Sequence, residues 1–301
     1  MANQRHRNRR SRGLFGQPIR EAGDQAIVRI VGLALRLARR HLAEHAHKFA
    51  PKKFTQPQLF ACLIFKAHLG CTYRKAEELL TLMPAVREAI GLRETPRFTT
   101  LQAFADRPDI MALIDGVLAS IGRAIATHAP QDAAMDGTGL EVTSASAHFV
   151  SRAGRKRTRF VKVMLGVLCA AVIPISLVVD WGPSHDMKQA WALREKMKAT
   201  CTPTWLWGDS AFDCERWHKA NWEGWGVPSY APTVVRSANG HVNGLYRNLF
   251  QVRAKEYGRR WMCESVNSGI KRTCGSTLRS LKENTLFAEA ALKVAAYAIK
   301  V

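Results

Sequence analysis

The sequence predicts an α/β chain, a mixed sheet with helices on its faces, preceded by an all-helical N-terminal part. Three observations carry that prediction. From residue 21 to about 128 the apolar residues recur at helical spacing. Near Ala129 and Pro130 the character changes, and the runs RFVKVMLGVLCA and IPISLVVDW are apolar and β-branched, as buried strands require. Beyond them helices and strands alternate, the order that gives a sheet flanked by helices. With 301 residues, of which 47% are hydrophobic, the chain can bury a substantial core, and its length suggests two domains. The expected boundaries are a basic arm over 1–20, a helical domain over 21–128 and an α/β domain over 129–301.

The arm holds Arg5, Arg7, Arg9, Arg10 and Arg12, too polar and charge-dense to fold alone. Residues 21 to about 48 form one helical pattern, with Ile27, Ile30, Val31, Ala34, Ala38 and Leu42 as an apolar stripe and Arg29, Arg36 and Arg40 as a basic one. A plain amphipathic core helix and a DNA-facing helix both fit that pattern. LFACLIFKAHLG and TYRKAEELLTLM follow as shorter helices, Thr72 lying near the start of the second and Pro84 ending it. RFTTLQAFADRPDIMALIDGVLASIGRAIA reads as a short helix, a break at Pro108 and a longer helix to about Ala126. A helix-turn-helix unit is compatible with this region, as it is with many helical bundles.

The second half begins with the strands AAMDGT, HFVS, RFVKVMLGVLCA and IPISLVVDW. Between HFVS and RFVKV, the turn RAGRKRT reads as a hairpin tip presenting Arg152, Arg155, Lys156, Arg157 and Arg159. A solvated face would explain such a charge run, but five cations on one tip suit a phosphate clamp better. SHDMKQAWALREKMKA is a helix with Ser184 or Asp186 as cap, and in SHDMK capping outweighs catalysis for His185 and Asp186. TWLWGDS is a strand, DCERWHKANWEGW a helix capped by Asp213, and VPSYAP a further strand. From Gly244 the pattern is helical, broken around TCGSTLRS. Trp205, Trp207, Trp217, Trp222 and Trp225 are expected mostly in the core.

Lys plus Arg total 45 against 24 Asp plus Glu, a formal charge of +21. A polyanionic partner follows, since each neutralised phosphate releases counterions and strengthens binding. Nucleic acid outranks membrane as that partner because no segment approaches the roughly 20 consecutive apolar residues of a span. The start, MANQRHRNRRSRG, has the charge of a secretory signal without the apolar core. Seven scattered cysteines, never two residues apart as a pair, disfavour a zinc site or disulfide framework and fit a reducing cytoplasm.

One stretch concentrates chemistry: YGRRWMCESVNSGIK, residues 257–271. At about 100° per residue, with Tyr257 at zero, Arg260, Glu264 and Lys271 fall at roughly −60°, −20° and −40°. Met262, Cys263, Val266 and Ile270 take the opposite side and would anchor the helix; Trp261 suits either surface. Alone, Arg260 with Glu264 reads equally as a surface ion pair. Two further acids stand where strands should end, Asp136 in MDGTG and Asp209 in WGDSAFD, and residues just past strand ends line site crevices. Each has a plainer reading as well, Asp136-Gly137 as a tight-turn pair and Asp209 as a helix cap.

Together these residues resemble the DDE transposases of bacterial insertion sequences, in the group marked by Tyr, two residues, Arg, three residues, Glu, six residues, Lys. Tyr257, Arg260, Glu264 and Lys271 match that spacing; Asp136 and Asp209 match the first two acids. The match covers about 130–300. The departure from the pattern is around Glu264, where GRRWMCESVNSG is smaller and more polar than expected. The resemblance implies an RNase H-like sheet over 129–301 and a DNA-binding role for 21–128. It implies Asp136, Asp209 and Glu264 as catalytic metal ligands and Tyr257, Arg260 and Lys271 as DNA contacts. Three converging carboxylates cannot all stay ionised without a compensating cation, and oxygen ligands select a hard one, Mg2+ with Mn2+ as substitute. The implied reaction is cleavage at transposon ends and strand transfer into target DNA. Its implied partners are double-stranded DNA and a second copy in a synaptic complex, and its place the bacterial cytoplasm at the nucleoid. Rival readings are a catalytically lapsed DNA-binding repressor and an RNase H-like nuclease without strand transfer.

Overall fold

The N-terminal helices start where local chemistry starts them. The computed structural model describes residues 25–142, 160–235, 238, 240–250 and 257–301. The first helix, α1 (Ala26–Ala38), buries Ile30, Val31, Ala34 and Ala38 and exposes Arg29 and Arg36. It is shorter than the expected 21–48. Residues 39–55 are turns and bends instead, and His41 reaches across to bond Ser120 Oγ at 2.8 Å. The next helix, α2 (Gln56–His68), opens on a capping box in which Thr55 and Gln58 satisfy each other's backbone N–H groups. It is buried almost all round, so it forms the axis of the helical region. Thr72 caps α3 (Tyr73–Leu82) by accepting from the Lys75 N–H. Pro84 opens α4 (Pro84–Ile90), and Gly91 ends it at φ 73°, a conformation that costs glycine little. Two helices, α5 (Phe98–Ala105) and α6 (Ile110–Ala126), flank the expected break at Pro108.

Among the described residues the sheet has six strands: β1 (Ala133–Val142), β2 (Phe160–Leu168), β3 (Ile173–Gly182), β4 (Leu206–Trp207), β5 (Ser229–Tyr230) and β6 (Thr277–Leu278). Their order is β3-β2-β1-β4-β5, with β6 paired to the far end of β1. The first three strands run antiparallel, whereas β4 and β6 run parallel to β1 and β5 parallel to β4. This is a mixed sheet. The pair β6 was not expected, since TCGSTLRS read only as a helix break. HFVS and the tip bearing Arg152, Arg155, Lys156, Arg157 and Arg159 lie outside the described residues, as do the arginines of the basic arm.

Of the capping expectations, that for His185 holds, whereas those for Ser184, Asp186 and Asp213 are corrected. The helix after β3, α7 (Asp186–Lys198), is capped by His185, whose Nδ1 accepts from the Met187 N–H at 3.3 Å. Asp186 is engaged by Lys162 of β2, and Ser184 Oγ accepts from Gln189. The helix after β4, α8 (Glu215–Trp225), has Cys214 at its cap position with no side-chain bond. Asp213 is instead fully buried and clasped by Arg247, with Nε to Oδ1 at 2.8 Å and Nη2 to Oδ2 at 2.5 Å. Arg247, in α9 (Leu245–Leu249), is thereby a buried residue of the core.

The remaining helices, α10 (Trp261–Cys274) and α11 (Glu283–Lys300), cover the sheet. The last of these touches α2, α6, β3 and α10, and its Leu286, Ala291, Leu292, Ala295 and Ile299 are buried. Helical region and sheet therefore share one apolar core. Inside it Lys293 donates to three carbonyls, those of Cys274, Gly275 and Thr277, at 2.7, 2.8 and 2.8 Å. Those are the orphan acceptors where α10 ends and β6 begins. Lys293→Met strands them in an apolar site, and urea unfolding is expected to show a loss of about 3 kcal/mol, the scale of unsatisfied buried groups.

Candidate active site

Asp136 sits mid-way along β1 on the face that α10 covers, a correction both to the strand-end position and to the tight turn expected of Asp136-Gly137, since both residues stay in the ladder with β2. Strand side chains alternate, so neighbouring Gly137 faces the other way, where a Cβ would meet Met164 Sδ at 2.8 Å and Lys162 Cε at 3.3 Å. Asp136 Oδ2 accepts from Asn267 Nδ2 at 3.2 Å. Its Oδ1 lies 3.8 Å from Arg260 Nη1, and the other end of that guanidinium holds Glu264 Oε1. One cation thus bridges two of the acids.

Asp209 arrives from the neighbouring strand. In the parallel pair Ala134 stands opposite Trp207, so Asp136 and Asp209 each lie two residues further on. There the chain leaves β4 and turns, and Asp209 Oδ1 accepts from the Ala211 N–H at 2.9 Å. The expected strand-end position and the capping role are both present at this residue. The field of the acids is felt at Asp136, whose carboxyl is pushed up to about 6. Burial is the main cause; the Gly137 N–H and Arg260 pull downward, and the charges of Asp209 and Glu264 push further up.

The signature stretch begins as a 3-10 turn at 257–260 and continues as α10. Cys263, Val266 and Ile270 are buried, as the wheel requires, while Trp261 faces solvent at 58% exposure. The Tyr257 ring stacks edge-on against Tyr230 at 5.5 Å, and the Arg260 guanidinium lies 5.7 Å from its centre. Burial raises the Tyr257 hydroxyl, Arg260 draws it back, and Asp209 adds to the rise. Lys271, two turns beyond Glu264, is half-buried and makes no ion pair among the described residues.

Two contributors escaped the sequence reading. Arg259 pairs with Asp132, tying the 3-10 turn to the entry of β1. Asn267 falls at roughly −80° on the same wheel, beside Arg260, so helical phase alone places it with the signature residues. Among the described residues, no three of His, Cys, Asp or Glu stand close enough to hold one metal ion. The donor chemistry nevertheless suits a hard cation. Asp136, Asp209 and Glu264 all offer carboxylate oxygens, burial and then the charges of the other two acids raise Asp136, and the buried Asn267 Oδ1 has no hydrogen-bond partner.

A mixed sheet flanked by helices, with acids presented from β1, from the end of β4 and from a late helix, is the RNase H-like arrangement. The chain matches the transposase DDE domain over residues 127–299 and belongs to that family, which carries a transposase-type nuclease function. No curated protein matches the chain. Among the described residues no helix is long and apolar enough to cross a membrane.

Proposed function

We propose that this chain is a transposase that cuts the ends of its element and joins them to target DNA. The observation that carries the reading is the placement of Asp136 on β1 and of Asp209 two residues beyond the adjacent parallel strand β4, with the charges of Asp209 and Glu264 both acting on Asp136. Asp136, Asp209 and Glu264 would hold Mg2+, or Mn2+ in its place, which when bound supplies Lewis-acid activation for an in-line phosphoryl displacement. Glu264 takes up that role by exchanging its Arg260 partner, and the released guanidinium turns to a phosphate beside the scissile bond. Lys271, on the same face, adds a second phosphate contact, and Tyr257 positions the strand. The formal charge of +21 supports DNA as the partner, with Arg152, Arg155, Lys156, Arg157 and Arg159 as a further clamp. Joining two ends calls for a pair of chains in one synaptic complex, in a bacterial cytoplasm.

The test is incubation of the protein with labelled duplexes from the DNA flanking its coding sequence, a target plasmid and Mn2+. Nicked ends and plasmid-joined products are expected. Nicking without joining would leave only the nuclease reading, and bound but uncut duplex would leave only the repressor reading. Arg260→Ala is expected to lower joining by about 10²-fold, the scale of losing one charge-directed contact. It should also move Asp136 further upward, because Arg260 is one of the groups holding it down; carboxyl carbon NMR reads that shift.

A further inference from the structure

Asn267 lies three residues after Glu264 and four before Lys271, so all three share one face of α10. It is 8% exposed, and its helix neighbours Cys263, Val266 and Ile270 are buried apolar groups. A carboxylate only accepts hydrogen bonds, so the amide turns its NH2 toward Asp136 Oδ2, 3.2 Å away. That leaves Oδ1, attached to the same carbon, buried and with no hydrogen-bond partner. A buried amide oxygen without a partner is costly, and an apolar side chain at this position would avoid the cost while packing equally well against the sheet. An uncharged oxygen next to a carboxylate is, however, a suitable ligand for a hard cation or for one of its waters.

We propose that Asn267 is an additional oxygen donor of the acidic centre: Nδ2 fixes the orientation of Asp136, and Oδ1 is presented to the divalent cation or to water bound on it. The inference rests on the metal-binding reading of Asp136, Asp209 and Glu264. It extends that reading to a group that holds a ligand in place and contributes an oxygen without adding charge to an already repelling set. Partners of this kind orient the ligands and tune the affinity of the site.

The experiment is Mn2+ binding to the full chain without DNA, followed by calorimetry and by the loss of the free-ion spin-resonance signal. Asn267→Leu and Asn267→Ser are expected to weaken Mn2+ by about 10–100-fold. Asn267→Asp, which keeps an oxygen but loses the N–H, is expected to bind at least as tightly as the wild type. Melting in chelator shows whether each variant is folded, and the serine variant serves if leucine disturbs α10. Should Asn267→Asp fall together with Asn267→Leu, Oδ1 is no donor and the proposal is overturned. Should Asn267→Leu bind like the wild type while Asp136→Asn does not, the proposal fails and the metal reading stands. A wild-type chain that takes up no Mn2+ overturns both.

Discussion

Asp136→Asn is expected to abolish cutting and joining while end DNA still binds. The amide keeps the size of the carboxylate and can still meet Asn267, so the strand and helix need not move. What it loses is the negative charge at the point where two strands and α10 converge. Cleavage of labelled ends in Mn2+ should fall by about 10³-fold or more, at the upper end of what one preorganised electrostatic contact provides. Affinity should survive, because it is carried by a basic surface with a formal excess of +21. A gel shift and a cleavage assay on the same preparation measure both. A variant that cuts at near wild-type rate would remove Asp136 from the chemistry.

The same substitution is expected to stabilise the protein in chelator, and only above a certain pH. The Asp136 carboxyl titrates at about 6 in the fold against a reference of 3.8. The folded state therefore binds the proton more tightly than the unfolded chain, and stability falls as pH rises through that interval. Below 3.8 both states are protonated and the full contribution is present; above about 6 it is lost. A shift of that size corresponds to roughly 2–3 kcal/mol at neutral pH. Urea unfolding of wild type and variant should thus agree near pH 4 and diverge toward pH 7, with the asparagine form the more stable. Added Mn2+ should reverse the order, since a bound cation favours the ionised carboxylate. A difference that stays constant with pH would mean that Asp136 is not held in a repelling, buried setting.

Much of this architecture is written in local patterns. The helices α3 and α6 show a 3.6-residue period, α2 opens on a capping box, and β2 and β3 are mainly apolar and β-branched. What escaped was decided by partners distant in sequence. Asp213 reads as a helix cap until Arg247, thirty-four positions away, takes both of its oxygens. Asp186 reads the same way until Lys162 claims it. A two-residue strand such as β6 has no period to detect, and it exists because Glu141 and Val142 offer an open edge. At the site, the spacing of Tyr257, Arg260, Glu264 and Lys271 was legible from the signature. Asn267 was not, because a polar residue on a polar helix face reads as solvent-exposed. Only the seating of α10 against β1 makes it a buried partner of Asp136.

Because α11 is packed at once against α2, α6 and β3, neither region can swivel without tearing apolar surface from the other. A duplex gripped by the N-terminal helices would reach the acids at a constant offset along its axis. The protein would then measure its cutting distance as a ruler does, and any adjustment of that distance would have to come from bending the DNA.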